Sequence, residues 1–97
     1  MKIHNLELIS LCSEKHSHSK EALRTWLAIA RAASWKTPMD IKTRFSSASF
    51  LPGNRVVFNV AGNKFRLIAV INYSYGIVEI RFVDTHAAYG KINAEKI

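Results

Sequence analysis

The spacing of apolar side chains changes character at Pro52-Gly53-Asn54. Before that point it follows the helical period, and after it the strand period of two. Asn5 to about Lys15 reads as a short helix, with Asn5 as N-cap and Leu8, Ile9, Leu11 and Cys12 on its apolar side. His16-Ser17-His18-Ser19 interrupts the pattern, and Ser17 or Ser19 suits the cap of a second helix. That helix, from about Ser19 to Ala33, carries the clearest stripe. Ala22, Leu23, Trp26, Leu27, Ala30 and Ala33 recur at three and four residues, while Lys20, Glu21, Arg24 and Arg31 stay off that side. Thr37-Pro38-Met39-Asp40 opens a third helix ending around Phe45, because Thr37 can cap, Pro38 fits the first helical position and Asp40 completes a capping box. Ser46-Ser47-Ala48-Ser49 then reads as a loop.

The second half predicts strands at Arg55 to Ala61, Lys64 to Asn72 and Ile77 to Val83. Gly62-Asn63 is a two-residue hairpin turn, and Tyr73 to Gly76 turns the chain again. These turns set a register in which Asn59 faces Arg66, Val57 faces Ile68, Ile68 faces Arg81, Arg66 faces Val83 and Lys64 faces Thr85. One face then collects Phe58, Val60, Phe65, Leu67, Ala69, Ile71, Val78, Ile80 and Phe82, all apolar, and needs the Trp26 helix as its cover. The other collects Val57, Asn59, Lys64, Arg66, Ile68, Val70, Glu79, Arg81 and Val83, and is expected to face solvent. The expected fold is α+β, with N-terminal helices packed on one face of a small antiparallel sheet, in one domain over residues 1–97.

Composition narrows the function. Fourteen Lys and Arg against seven Asp and Glu give a net charge of +7, and the sequence pI is near 9.9. A small basic domain suits a polyanion, nucleic acid first, although an acidic protein partner would also fit. No apolar run is long enough for a membrane span, and the lone Cys12 permits neither an internal disulfide nor a Cys-rich zinc site. A cytoplasmic protein without membrane association is expected.

The expected register gathers Asn59, Lys64 and Arg66 at one end of the sheet, beside the point where Asp84-Thr85-His86 leaves the last strand. Each residue has an ordinary role open to it. Arg66 and Arg81 could pair across strands with Glu79, Lys64 could be a solvated hairpin residue, and His86 could cap the final turn. Together they suit RNA cleavage by an adjacent 2′-hydroxyl, which needs cations for the phosphorane charge and groups to move two protons. Arg66 and Lys64 would hold the phosphate, and His86 would carry a proton. Tyr89 would stack a base or act in proton transfer. Asn59, Asn63, Arg55, Arg81 and Lys91 are further candidates for RNA contact. No metal or other cofactor is called for, and His16 and His18 read as surface residues.

The run Asn54-Arg55-Val56-Val57-Phe58-Asn59-Val60-Ala61-Gly62-Asn63-Lys64-Phe65-Arg66-Leu67, with Thr85-His86-Ala87-Ala88-Tyr89, resembles the HigB toxins of the RelE-like superfamily. Trp35-Lys36-Thr37-Pro38 and Asp40-Ile41-Lys42 extend the likeness over nearly the whole chain. The resemblance implies a RelE-like fold and an mRNA endoribonuclease that cuts translated message in the ribosomal A site. It also implies a HigA-like helix-turn-helix antitoxin as partner, with operator DNA reached only through that antitoxin. Arg66 matches the strand arginine placed at the scissile phosphate, His86 the position after the last strand, Tyr89 the nearby aromatic, and Asn63-Lys64 the hairpin motif. The family's tail tends to read Gly-Thr-His-Ala-Glu-Tyr-Asp, where this chain has Asp84, Ala88 and Gly90. Asp84 is expected to add negative charge near the phosphate site. The lost tail acids open an alternative, a catalytically weak homologue that serves as an antitoxin-bound repressor subunit or a basic RNA-binding module.

Overall fold

The computed structural model describes residues 1–97. Strand β1 (Lys2–His4) leads into α1 (Glu7–Lys15), a single 3-10 turn at Ser17–Ser19, then α2 (Lys20–Ala32) and α3 (Pro38–Arg44). Strands β2 (Ser49–Leu51), β3 (Arg55–Val60), β4 (Phe65–Asn72) and β5 (Ile77–Thr85) follow, and α4 (His86–Tyr89) closes the regular structure. All five strands join one sheet in the order β1-β5-β4-β3-β2. No helix is long and apolar enough to cross a membrane.

The α+β class is as the pattern predicts, but the sheet is mixed rather than antiparallel. Its outer strand β1 runs parallel to β5, pairing Lys2 with Ile77 and His4 with Glu79. Asn5, expected as the N-cap of α1, instead makes the corner between β1 and α1. It adopts a left-handed φ of 67°, a conformation Asn tolerates better than most residues, and its Nδ2 donates to the Ile80 carbonyl at 2.9 Å. Neither Ser17 nor Ser19 caps α2 through its side chain; the buried Ser19 hydroxyl donates to the His16 carbonyl at 2.7 Å, which closes the 3-10 turn. Part of the expected serine loop is the edge strand β2, paired with β3. The start of α3 follows the sequence signal. Thr37 accepts from the Asp40 amide while the Asp40 carboxylate accepts from the Lys36 and Thr37 amides, with Pro38 in the first turn.

The helices cover the sheet face that carries Val56, Phe58, Val60, Phe65, Leu67, Ala69, Ile71, Val78 and Ile80. Phe58 is the centre of an aromatic cluster, with ring centroids of Phe45, Trp26 and Trp35 at 5.1, 5.3 and 6.3 Å. Leu23, Trp26 and Ala30 from α2 and Ile41 from α3 complete this core. Cys12 is buried in it from α1, with its Sγ 3.8 Å from the Ser19 hydroxyl. Burial pushes the Cys12 thiol pKa up from its ordinary value, with nearby Asp84 adding to the effect against the Ser19 hydrogen bond and Lys15.

Two corrections to the expected register shape the rest of the molecule. Pairing between β4 and β5 runs as expected from Asn72–Ile77 to Ala69–Ile80, then slips by one residue at a bulge that leaves Arg81 unpaired. Ile68 therefore pairs with Phe82, Arg66 with Asp84 and Phe65 with Thr85. The slip moves Phe82 off the helix-covered face and brings Val83 against the core in its place.

The second correction is that the other face is only partly open to solvent. Val57 and Ile68 are buried there, outside the main core. The C-terminal segment runs along this side: the Tyr89 ring lies 6.0 Å from the Arg66 guanidinium carbon, and the Ile97 carbonyl oxygen accepts from Arg55 and Arg81.

Candidate functional site

The β3–β4 hairpin builds the site. Its ladder ends at the Val60–Phe65 pair, and a turn follows in which the Lys64 amide donates to the Ala61 carbonyl at 3.3 Å. Ala61 and Gly62 have φ of 55° and 67°, so the left-handed conformation that the Gly62-Asn63 signal predicts begins one residue earlier. This tight reversal brings Asn63 back over Arg66, two residues into β4.

Arg66 is 8 % exposed, and its guanidinium is held by the hairpin that carries it. Nη1 donates to the Phe65 carbonyl at 3.1 Å and the Asn63 carbonyl at 3.3 Å, and Nη2 donates to Asn63 Oδ1 at 2.6 Å. No carboxylate neutralises it. Asp84, its partner across the ladder, lies 3.8 Å from Lys15 Nζ and 3.4 Å from His16 Nε2 instead. The second of these distances is too poorly aligned for a hydrogen bond, which leaves the buried His16 Nε2 without a donor or acceptor partner. Asp84 Oδ1 also accepts from the Thr85 amide at 2.7 Å. The added negative charge expected at the phosphate site is thus drawn toward the end of α1.

Helix α4 completes the cluster. The Thr85 hydroxyl caps it by accepting from the Ala88 amide at 3.1 Å, and the His86 amide donates to the Lys64 carbonyl at 2.9 Å. The second bond ties the start of α4 to the hairpin turn, so Lys64 and His86 are neighbours through their backbones. Both side chains are exposed. One turn on, the Tyr89 ring comes within cation–π range of Arg66 and borders a shallow depression of about 520 Å3 that Leu51, Ile92 and Asn93 help to line. Asn59 stands opposite Arg66 on β3.

Arg66, Lys64, His86 and Tyr89 are therefore brought to one end of the sheet, with Asn59 and Asn63 beside them. Arg55 and Arg81 are not. Arg55 donates through Nε and Nη2 to the Ile97 carbonyl oxygen at 3.3 and 2.9 Å, and Arg81 donates through Nε to the same atom at 3.3 Å. Arg81 also pairs with Glu79. Four residues along β3 separate the Arg55 row from the Asn59 row, which is about 13 Å. Lys91 is exposed on the turn that follows α4.

The grouping of Lys15 and His16 around Asp84 has no counterpart in the sequence reading. His16, expected at the surface, is half-buried, and its ring and that of His18 lie 5.5 and 5.2 Å from Phe65, the residue before Arg66. Local spacing gives no signal for it, because its partners lie on strands that form from the other half of the chain. The largest concavity, about 560 Å3 between α1 and α2, shares no residue with the cluster. The cluster itself is a shallow, cationic surface, a shape that suits an extended polymer better than an enclosed small molecule.

The HigB_toxin family, described as the RelE-like toxic component of a toxin–antitoxin system, matches residues 19–92. That span runs from the start of α2 through Tyr89. A curated relative from Escherichia coli O6:H1, mRNA interferase HigB, is 28% identical over 83 residues, which cover 84% of this chain and 81% of the relative.

Proposed function

The chain belongs to the HigB toxin family, and from that premise we propose that it is a single-domain mRNA endoribonuclease with a RelE-like fold, whose cutting of translated message arrests protein synthesis. The 2′-oxygen of one nucleotide attacks the adjacent phosphorus, the bond to the 5′-oxygen breaks, and the products are a 2′,3′-cyclic phosphate and a free 5′-hydroxyl. No metal takes part. Arg66 and Lys64 hold the phosphate and offset the charge that grows on its oxygens, while His86 and Tyr89 move the protons of the attacking and leaving oxygens. Asn59 and Lys91 extend the contact along the strand.

One observation supports this reading above the others: Arg66 is a nearly buried arginine without a carboxylate partner, fixed by its own hairpin next to Tyr89. A cation kept in that state suits an anion delivered from outside. Message positioned in the ribosomal A site supplies the phosphate, and a HigA-like helix-turn-helix antitoxin binds the protein in the cytoplasm and links it to operator DNA.

Primer extension on a translated reporter after brief induction tests the proposal. Cuts at defined codon positions that vanish for Arg66→Ala are expected. Message left intact by the wild-type chain, with the protein shown folded, would favour the repressor-subunit reading, to which the missing tail acids at Ala88 and Gly90 lend weight.

A further inference from the structure

We propose that Asn63 is a positioning residue for Arg66, and that it fixes which edge of the guanidinium receives a phosphate. The inference rests on the proposed function for its substrate class, but the geometry behind it is independent of that reading. A guanidinium has five N–H groups and two edges able to bind an anion through a pair of parallel bonds. One edge lies between Nη1 and Nη2, and the other between Nη2 and Nε.

Asn63 occupies the first edge, its carbonyl oxygen on Nη1 and its Oδ1 on Nη2. The Phe65 carbonyl takes the remaining Nη1 hydrogen. Three of the five N–H groups are used in this way, all by residues of the same hairpin. The two left over are Nε–H and the second Nη2–H, which point the same way and match the spacing of two phosphate oxygens. Asn63 is exposed and belongs to no strand, so its side chain serves no packing role. A lysine at position 66 could neither share itself in this way nor present a fork. Asn63 thus acts on the RNA through Arg66 rather than by contact of its own.

Three measurements on the full chain test this. In 15N spectra of the arginine side chains, the wild type should show separate Nη1 and Nη2 signals for Arg66, because the hydrogen bonds slow rotation of the group. Asn63→Ala should merge them while the backbone spectrum stays that of the folded protein, and Asn63→Asp, which retains an acceptor at the same place, should keep them apart. Titration with inorganic phosphate should shift the Nε and Nη2 signals of Arg66 and leave Nη1 in place. With ribosome-bound message as substrate, Asn63→Ala should lower kcat by about 10- to 100-fold and change KM far less. Asn63→Asp should recover part of that loss.

Unaltered Arg66 signals in Asn63→Ala, a phosphate shift on Nη1, or cleavage by Asn63→Ala at the wild-type rate would each overturn the assignment. If the wild-type chain cuts no message while the spectra change as described, the positioning of Arg66 stands and the nuclease reading is the part that fails.

Discussion

The two ends of the sheet's second face both carry arginine, and they use it in opposite ways. At the far end Arg55 and Arg81, drawn from different strands, converge on one main-chain oxygen at Ile97, 42 and 16 residues away in sequence. At the near end Arg66 is held by partners no more than three residues away. The first arrangement spends its cations joining distant parts of the chain. The second needs only the hairpin, and it leaves part of the guanidinium uncommitted. Charge by itself does not tell these two arrangements apart; the sequence distance to the acceptors does.

Substitutions at the two ends should therefore fail differently. The largest effect belongs to Arg66→Ala, which should lower cleavage by about 10²- to 10³-fold, the range seen on removal of one donor to a developing oxyanion. The variant should remain folded, with its thermal unfolding lowered only by the loss of the bonds within its own hairpin. Loss of cleavage accompanied by an unfolded far-UV spectrum would show Arg66 to be structural, and the contrast between the ends would collapse. The double variant Arg55→Ala/Arg81→Ala should do the reverse. Urea unfolding should register a loss of about 1–3 kcal/mol from the charge-assisted bonds to Ile97, with cut positions on a reporter message unchanged. Altered cut positions at unchanged stability would place these arginines on the RNA after all.

Asp84→Asn probes the boundary between the site and α1. It removes an ion pair whose Lys15 partner is 69% exposed, so the stability change should stay within about 1 kcal/mol and shrink further in high salt. An increase in cleavage would mean that the Asp84 charge still reaches Arg66. The smallest effect concerns pH. The folded-state pKa of Cys12 is raised above its ordinary 9.0, so the folded protein keeps that proton where the unfolded chain has lost it. Its contribution is fully present below about pH 9 and is lost as pH rises through the folded-state value. Stability measured from about pH 9 upward should fall, and Cys12→Ala should make the fall shallower. An identical slope in both proteins would remove Cys12 from the account.

The parts of the fold legible in sequence are those fixed by neighbours a few residues apart. The α2 stripe, the Thr37-Pro38-Asp40 capping box and the Gly62-Asn63 turn all carry their cause within one helical turn or one reversal. The β3–β4 register, including Asn59 opposite Arg66, follows from that turn. What escaped depends on partners far along the chain. Strand β1 is three residues long and becomes a strand only because β5 lies beside it. The bulge at Arg81 leaves no trace in the alternation, since Phe82 and Val83 are both apolar and either could have faced the core. The burial of Val57 and Ile68 requires the tail to return across the sheet, and nothing in either strand announces it.

For the site, the same rule applies: Arg66, Lys64 and Asn63 sit on the hairpin and could be grouped by inspection, and the two strand turns brought His86 near them. Their detailed relations could not be read, because the slip at Arg81 changes which β5 residue each of them meets.

The pairing of β1 with β5 has a consequence for the order in which the protein comes into being. Of these five strands the first to be made waits for the last before it has a partner, and contacts so far apart in the chain form slowly. His86 and Tyr89 emerge later still. A nascent chain that stops before residue 84 already has Arg66 and the β5 residues that pair with β1, but not the helix carrying His86 and Tyr89, so the cluster can assemble only after the residues of the sheet edge have been made.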